Sequence, residues 1–259
     1  MVRRSHVAPS RVPALPKVAD KAGGEISIPS GLRSSISGRS ADSAEFAVGS
    51  GSTLAAVGET RRAVAWVKDD PFGVEFAEIA LAPQHVAAEG VAIAAGPIPY
   101  RLDYMLETAP GYLTSRLRVT SRGEGWGRTL DLRRDASGIW TATAGEEGRV
   151  DLPPAGGDPA TLKGALDCDL GLSPVTNLMP VLRHKLLAGG HPVELTMAWV
   201  SVPDLSVRGD GQRYASLRTA ADHRVIRYEA SDGTFAADIT LDSDGIVIDY
   251  PGIARRLQR

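Results

Sequence analysis

The sequence predicts a mainly β protein in which a long antiparallel sheet curls around a single α-helix. Apolar and polar residues alternate with a period of two from about Ala63 onward, which is typical of strands with one buried face. Short Asp, Ser and Gly connections separate many of these runs and favour hairpins. Only the segment 177–187 has the apolar spacing of a helix, and an isolated helix of this length is marginal in water. We therefore expect the sheet to hold the helix by packing.

Residues 1–60 precede the alternating region and differ from it in composition. They are rich in Ser, Gly, Ala and Pro, and Phe46 is their one aromatic residue, so they cannot bury enough apolar surface to fold. We predict a disordered tail over 1–60 and one β domain over 61–259. Two alternatives stay open for the tail. The tail is a transit peptide if the source is eukaryotic. Alternatively the start is assigned too early, and because Met1 is the only methionine before Met105, a shorter product then needs a non-AUG start codon.

The strands of the predicted sheet follow one another as a meander. Alternation is clear over 100–106 and again over 113–119, where leucines and tyrosines share one face. No βαβ crossover pattern is visible, so we do not expect a parallel, Rossmann-like sheet. Further strands are predicted over 128–134, 139–143, 162–170, 193–201, 205–208, 224–230, 235–241 and 246–250, with hairpin connections at 135–138, 231–233 and 242–245.

The predicted helix has recognisable ends. Thr176 or Asn177 can accept hydrogen bonds from its first free backbone amides. Pro180 falls in the first turn, where its missing donor costs little. Gly189 and Gly190 then supply the stop. The apolar side of the helix comprises Leu178, Val181, Leu182 and Leu186, and its polar side comprises Arg183, His184 and Lys185.

Composition argues against several classes of protein. A formal net charge of -2 provides no basic footprint for nucleic acid. One cysteine, Cys168, excludes an internal disulfide framework and fits a reducing compartment. No apolar run approaches the roughly 18 residues of a membrane-spanning helix, and Pro9, Pro13 and Pro16 interrupt the N-terminal segment where a secretory signal would lie. We therefore expect a cytoplasmic protein that has no transmembrane segment and binds neither nucleic acid nor a cofactor.

Other motifs that could carry chemistry have simpler structural explanations. The glycines of 123–127 are spaced like part of a phosphate-binding loop, but no helix follows them. The run 242–245 resembles the start of a calcium loop, yet Ile246 stands where a third ligand is needed, so we predict a hairpin turn and no metal. Trp126 either packs in the core or stacks on a sugar at a pocket mouth. Core positions are expected for Trp66, Trp140 and Trp199.

Four blocks of the sequence together resemble a known bacterial family. In chain order the blocks are Tyr100 to Tyr104; Asp167, Asp169, Leu170, Gly171, Ser173, Pro174, Thr176, Asn177, Pro180 and Arg183; Trp199, Pro203, Asp204 and Leu205; and Asp244, Gly245, Asp249, Tyr250, Pro251 and Gly252. Their order and spacing resemble the putative glycolipid-binding family over about 63–255. The resemblance implies a spiral β-roll, a sheet curled around one helix like that of periplasmic lipoprotein carriers. It also implies glycolipid binding, which is inferred from that shape, and homodimers.

This resemblance suggests a ligand pocket between the sheet and the helix. An apolar slot there could hold an acyl chain, because each buried methylene contributes about 0.8 kcal/mol. We expect Tyr104, Leu182 and Trp199 to line its apolar part, with Asn177 and Arg183 at its polar end. The leading hypothesis is therefore a non-catalytic protein that binds a lipid or glycolipid. The alternative is that the same apolar faces pack on the helix and leave no pocket.

Two other functions stay open. Asp167 and Asp169 share one strand face, so with Asp249 they could serve a hydrolase acting on a sugar or lipid ester, provided that they meet in an open cleft. The structural alternative is that Asp169 caps the turn or pairs with Arg183. Cys168 is expected to be buried and inert. The other function is a homodimeric scaffold that has a closed core and binds proteins through its sheet edge.

Overall fold

Within the described residues, 58–219 and 223–257, the computed structural model of the protein has one 14-stranded sheet and a single α-helix. The predicted tail, 1–60, lies outside these residues except for its last three positions. No helix in this part of the chain is long and apolar enough to cross a membrane. The fold class predicted from the sequence, mainly β with one helix, is confirmed.

Strands occupy most of the described chain, and the helical segments are short. The strands are β1 (Thr60–Lys68), β2 (Gly73–Ala82), β3 (His85–Ala94), β4 (Tyr100–Ala109), β5 (Leu113–Gly123), β6 (Trp126–Arg134), β7 (Trp140–Gly148), β8 (Asp167–Leu170), β9 (Val193–Val200), β10 (Val207–Thr219), β11 (Arg224–Ala230), β12 (Ala236–Leu241), β13 (Val247–Tyr250) and β14 (Ala254–Arg256). The helix is α1 (Leu178–Arg183), and 3-10 turns lie at Pro159–Leu162, Pro174–Asn177 and Leu186–Ala188.

The sheet consists of two meanders joined where β1 pairs with the C-terminal strand β14. Its order is β7-β6-β5-β4-β3-β2-β1-β14-β13-β12-β11-β10-β9-β8. Neighbouring strands are antiparallel, as predicted, except for β8 and β9, which are parallel. Because parallel neighbours need a crossover connection, α1 serves as that crossover. The sequence showed no pattern for this one crossover, but the expectation that the sheet is not a parallel, Rossmann-like one is confirmed.

The sheet curls so that its two ends approach each other across the segment before β8. In β5, the Thr114 amide donates to the Leu166 carbonyl (3.1 Å). In β7, which is one end strand, the Trp140 indole N–H donates to the Ala165 carbonyl (3.0 Å). Leu166 leads directly into β8, the other end strand. The two edges therefore meet through this segment without pairing to each other.

The helix lies inside this curl and packs on both meanders. Met179 shares a buried core with Trp66 of β1 and Leu102 of β4. Val181 shares a second buried core with Ile226 of β11. Full burial of a side chain of this size contributes about 1.5–3 kcal/mol, which explains how an α-helix of only 6 residues stays ordered. The prediction of a sheet curled around its helix is confirmed.

The helical segment begins earlier than predicted. Ser173 caps it, because its Oγ accepts a hydrogen bond from the Val175 amide (3.4 Å). Asn177 makes no capping bond, and the Thr176 hydroxyl donates instead to Asp169 (2.8 Å). The prediction that Thr176 or Asn177 caps the helix is therefore wrong. A 3-10 turn precedes the α-helix and moves the free amides to the residues just after Ser173.

The C-terminal end of the helical segment is broken by a left-handed residue. Lys185 has a φ of 53°, so the α-helix stops at Arg183 and a separate 3-10 turn follows. Gly189 ends that turn with a φ of 79°, a conformation that glycine adopts at little cost. A Cβ on Gly190 would lie 2.2 Å from the His184 carbonyl oxygen. The glycine stop is confirmed, although the α-helix itself is shorter than 177–187.

Two strand predictions differ from the structure in length. The run 162–170 was expected to be one strand, but only Asp167–Leu170 is extended, since Leu162 belongs to a 3-10 turn. The strand β10 runs on to Thr219, far beyond the predicted 205–208. Its Gly209 looks like a turn residue in sequence, yet a Cβ there would lie 2.4 Å from the Thr161 carbonyl oxygen. Glycine in this strand therefore permits close backbone approach.

The tryptophans of the first meander are core residues. Trp66 and Trp140 are buried, as predicted. Trp126 is also buried, and a Cβ on Gly123 would lie 2.2 Å from its indole nitrogen, so the ring covers that glycine. Of the two alternatives for Trp126, the structure shows the core position, and its ring lines none of the cleft described below. The core position expected for Trp199 is wrong, because Trp199 is only partly buried and lines that cleft.

Cys168 is buried, as predicted, and we expect it to be unreactive in the native protein. Burial raises the pKa of its thiol to about 12, so the nucleophilic thiolate is almost absent near neutral pH. The Thr114 hydroxyl donates to its sulfur (3.5 Å). A maleimide or disulfide reagent should label the thiol only in denaturant. Rapid, complete labelling of the folded protein, followed by mass spectrometry, would contradict this assignment.

Candidate functional site

An open cleft of about 350 Å³ lies where the helical segment begins, against β8, β9, β10, β11 and β13. Its volume is at the lower end of the about 300–1,000 Å³ that small-molecule sites occupy. Its apolar lining includes Leu172, Val202 and Ile253. Its polar lining includes Asp169, Ser173, Asn177, Arg208, Asp210 and Asp232, and its aromatic lining includes Trp199, Tyr228, Phe235 and Tyr250. The cleft therefore offers ring surfaces and hydrogen-bonding groups together.

Three aromatic rings form one wall of the cleft. The ring centroids of Tyr228 and Phe235 are 6.0 Å apart, those of Phe235 and Tyr250 are 6.1 Å apart, and those of Tyr228 and Tyr250 are 6.0 Å apart. These separations are within the range of favourable aromatic pairing. Elsewhere in the cleft, the Arg208 guanidinium lies 3.9 Å from the centroid of the Trp199 ring, a cation–π contact. Both contacts keep the rings in place before any ligand arrives.

The hydroxyl groups of Tyr228 and Tyr250 are available to a ligand. The two side chains are only 8% and 7% exposed, yet neither hydroxyl makes a hydrogen bond within the described part of the chain. Burial raises the pKa of both phenols, and the negative charge of Asp169 raises it further, so both groups are protonated donors. The two hydroxyls are not among the fully buried side-chain atoms that lack a partner. They therefore reach the open cleft, where they can donate to a polar ligand.

Asp169 and Asn177 are held in position by neighbouring side chains. Asp169 accepts hydrogen bonds from the Thr176 hydroxyl (2.8 Å) and the Gln212 amide (2.7 Å). Burial raises the pKa of Asp169, and these two donors oppose that rise. The Asn177 amide oxygen accepts from the Tyr214 hydroxyl (3.1 Å). The polar base of the cleft is therefore preorganised by contacts that cross from the helical segment to β10.

The sequence suggested that Asp169 pairs with Arg183, and this is wrong. Arg183 instead pairs with Asp167, donating from both terminal nitrogens to both carboxylate oxygens. Asp167 is fully buried, and its burial raises the pKa of the carboxyl while the facing guanidinium lowers it. The acidic pair of β8 is thus divided by function: one carboxylate neutralises a helix arginine, and the other faces the cleft.

The five residues predicted to bind a ligand do not all lie together. Asn177 and Trp199 line the cleft. The Tyr104 hydroxyl donates to the buried Glu75 carboxylate (2.9 Å), outside the cleft lining. Leu182 is partly buried in the core, and the guanidinium of Arg183 is engaged by Asp167. The structure therefore gathers two of the five at one site.

The three carboxylates considered for catalysis are also separated. Asp169 lines the cleft, and Asp167 is held by Arg183. Asp249 lies beside Arg255 at a different surface depression. The convergence that a hydrolase based on these three would need is not found.

Sequence reasoning missed several residues of the cleft. Arg208 ends the strand predicted over 205–208, and Asp210 lies between Gly209 and Gly211, beyond that predicted strand. Tyr228 and Tyr250 lie in strands whose alternation marks them as core. Alternation separates the two faces of a strand but does not tell which inward residues border an opening. Polar residues at inward-facing positions of β10 were the one feature of the sequence that could have indicated the cleft.

Comparison with known proteins places the chain in a family. The family model described as "Putative glycolipid-binding" matches residues 63–256, most of the chain. The chain belongs to this family. The glycolipid-binding family match includes every strand except the first few residues of β1, and it contains the whole cleft. The resemblance carried by the four sequence blocks is confirmed.

A solved structure is similar to this chain in sequence and fold. The crystal structure of a DUF1089 family protein from Pseudomonas aeruginosa is 29% identical in sequence and has a TM-score of 0.55. The match covers 71% of this chain and 92% of that protein. No curated protein matches the chain. The family model therefore establishes the glycolipid-binding family for this chain, and the solved structure has a similar fold.

Proposed function

We propose that the protein binds a glycolipid by holding its sugar headgroup in the cleft. The observation that carries the proposal is the combination, at one opening, of an aromatic wall with unpartnered phenol groups and anchored polar side chains. A sugar ring has C–H faces that pack on aromatic rings and a rim of hydroxyls that donate and accept hydrogen bonds. The family name supports a glycolipid as the ligand.

The lipid part of the ligand needs a separate position. The space between helix and sheet, where an acyl chain was expected, is filled by Met179, Val181 and their core neighbours. The cleft volume of about 350 Å³ suits a headgroup and not a complete lipid. In our proposal the first methylenes contact Leu172, Val202 and Ile253 at the cleft wall. The remainder of the chain stays in the membrane or micelle that supplies the lipid.

A second candidate function is hydrolysis of a glycoside, and one contact favours it. The Gln212 amide donates to Asp169 (2.7 Å) and to Asp210 (3.3 Å), so two carboxylates lie side by side in the cleft. Paired carboxylates are the usual machinery for cleaving a glycosidic bond. If the protein is a hydrolase, incubation with a glycolipid releases free sugar, and Asp169→Asn abolishes that release. Recovery of intact glycolipid after prolonged incubation would exclude hydrolysis and leave binding as the proposed function.

The binding proposal predicts that Tyr250→Phe weakens glycolipid affinity roughly three- to tenfold, the value of one hydrogen bond. The measurement is native mass spectrometry or calorimetry of the purified protein with a glycolipid in neutral detergent micelles. The matched control is Tyr100→Phe, because the Tyr100 hydroxyl also lacks a hydrogen-bond partner but is buried outside the cleft. Equal affinities for the wild type and Tyr250→Phe, or an equal loss in the control, would contradict the proposed site.

A further inference from the structure

The charges that face the cleft are strongly unequal. Its lining contains three carboxylates, Asp169, Asp210 and Asp232, and a single guanidinium, that of Arg208. Arg208 is partly used already, since it stacks on Trp199 and lies 3.6 Å from Asp210. At neutral pH the lining therefore carries more negative than positive charge, so an anion that enters the cleft meets repulsion.

Two of the carboxylates reinforce each other at the base of the cleft. The Gln212 side chain is fully buried, and its amide bridges Asp169 and Asp210. An amide donates hydrogen bonds but brings no positive charge, so it holds the two carboxylates together without neutralising them. Asp232 adds a third charge at the rim, where its carboxylate accepts from the Thr234 amide (2.9 Å) and hydroxyl (2.6 Å).

Two phenol hydroxyls that make no hydrogen bond among the described residues lie beside this acidic region, where a ligand can reach them. Tyr228 and Tyr250 are more than nine-tenths buried, line the same cleft and have no hydrogen-bond partner for their hydroxyls among the described residues. Both are close enough to Asp169 to sense its charge. A ligand that reaches these hydroxyls therefore comes within the field of Asp169 as well.

We infer that the cleft selects sugar headgroups that are uncharged or carry an amino group, and rejects headgroups that carry a carboxylate, sulfate or phosphate. The inference rests on the proposed function and adds the chemical class of headgroup to it. The physical reason is that hydroxyl and ammonium groups donate hydrogen bonds to Asp169 and Asp210, whereas an anionic group is repelled by both. Specificity of this kind comes from repulsion of the wrong ligand as much as from contacts to the right one.

The test compares three lipids that differ only in the headgroup: glucosyl, glucosaminyl and glucuronosyl diacylglycerol in the same neutral detergent micelles. We expect the full-length protein to bind the glucuronosyl lipid at least roughly tenfold more weakly than the glucosyl lipid, and the glucosaminyl lipid at least as well. The difference in affinity between the glucosyl and the glucuronosyl lipid should become smaller at high salt, because salt screens the repulsion. Equal or tighter binding of the acidic lipid overturns the inference. Failure of all three lipids to bind overturns the proposed function instead.

A charge-removing variant tests whether the carboxylates cause the discrimination. Asp210→Asn is expected to reduce the preference for the glucosyl over the glucuronosyl lipid by at least roughly threefold. The matched control is Asp238→Asn on β12, since Asp238 pairs with Arg227 and lies outside the cleft. Asp232→Asn, in an exposed turn, provides the same test if Asp210→Asn fails to fold. An unchanged preference in a folded variant of either cleft aspartate contradicts the electrostatic explanation.

Discussion

Replacement of Arg183 by methionine is expected to lower the free energy of unfolding by about 3–5 kcal/mol. The reason is that Asp167 is fully buried and receives both terminal nitrogens of Arg183, whose side chain is only 13% exposed. Without the guanidinium, the carboxylate is an unpaired charge inside the protein. Urea denaturation of the wild type and the variant at pH 7 measures the difference.

The pH dependence of that variant provides a second check. Burial already raises the pKa of Asp167, and loss of Arg183 removes the main opposing effect. A carboxyl whose folded pKa is raised contributes stability below its unfolded pKa of about 3.9, and that contribution is lost as the pH rises through the folded value. The deficit of Arg183→Met should therefore be smaller near pH 4 than at pH 7.

A double variant tests whether the loss of stability in Arg183→Met comes from the unpaired charge of Asp167. Asp167→Asn combined with Arg183→Met should recover part of the lost stability, because no buried charge is then left unpaired. Asp238→Asn serves as the control, since it breaks an exposed pair with Arg227 and should change the unfolding midpoint far less. A loss below about 1 kcal/mol in Arg183→Met would show that the buried pair is not a structural link.

Replacement of Glu75 by glutamine is expected to cost a similar amount, about 3–5 kcal/mol. Glu75 and Lys68 are 1% and 3% exposed, and their side chains are 2.8 Å apart. The same carboxylate accepts hydrogen bonds from the hydroxyls of Ser173 (2.6 Å) and Tyr104 (2.9 Å). Glutamine keeps the size of the side chain but leaves the Lys68 ammonium without a counterion.

This second network joins the helical segment to the first meander, so its loss has a local signature. Lys68 also donates to the Leu172 carbonyl, and Ser173 is the residue that caps the helical segment. We expect hydrogen exchange in Glu75→Gln to accelerate first in the 172–177 region, near the cleft. Uniform acceleration across the sheet would indicate global destabilisation without that link.

Two comparisons control the Glu75 experiment. Combining Lys68→Met with Glu75→Leu removes both charges and should restore much of the stability lost in Glu75→Gln. Asp103→Asn breaks an exposed pair with Arg101, and it should leave the unfolding transition almost unchanged. If the double variant is as unstable as Glu75→Gln, then packing and not the unpaired ammonium explains the effect.

Local sequence patterns were sufficient for much of the fold. Alternation from β4 to β7 identified which residues face inward, and buried Leu102, Leu117 and Leu132 agree with it. Hairpin connections were visible as Asp, Ser and Gly runs; at 242–245, for example, the Asp242 carboxylate accepts from the Ile246 amide (2.9 Å). These features depend on residues close together in the chain, so the sequence displays them directly.

The strand boundaries that were predicted wrongly depend on contacts with residues far away in the chain. The strand β10 contains Gly209 and Gly211, which favour a loop when considered alone, but both allow close contact with residues far away in the chain, Thr161 and Ser231. The β14 strand, Ala254–Arg256, is too short to show alternation and exists because β1 and β13 pair with it. Strand formation at such places is a tertiary effect.

From the amino-acid sequence alone follow the fold class, the position of the helical segment and the family, because periodicity and motif spacing are properties of the chain itself. Only the tertiary structure decided that Arg183 pairs with Asp167 and that Tyr228 and Tyr250 border an open cleft. Residues of the cleft come from strands and turns between 169 and 253. Alternation defines two faces of each strand, and only the curl of the sheet determines which inward residues meet at an opening.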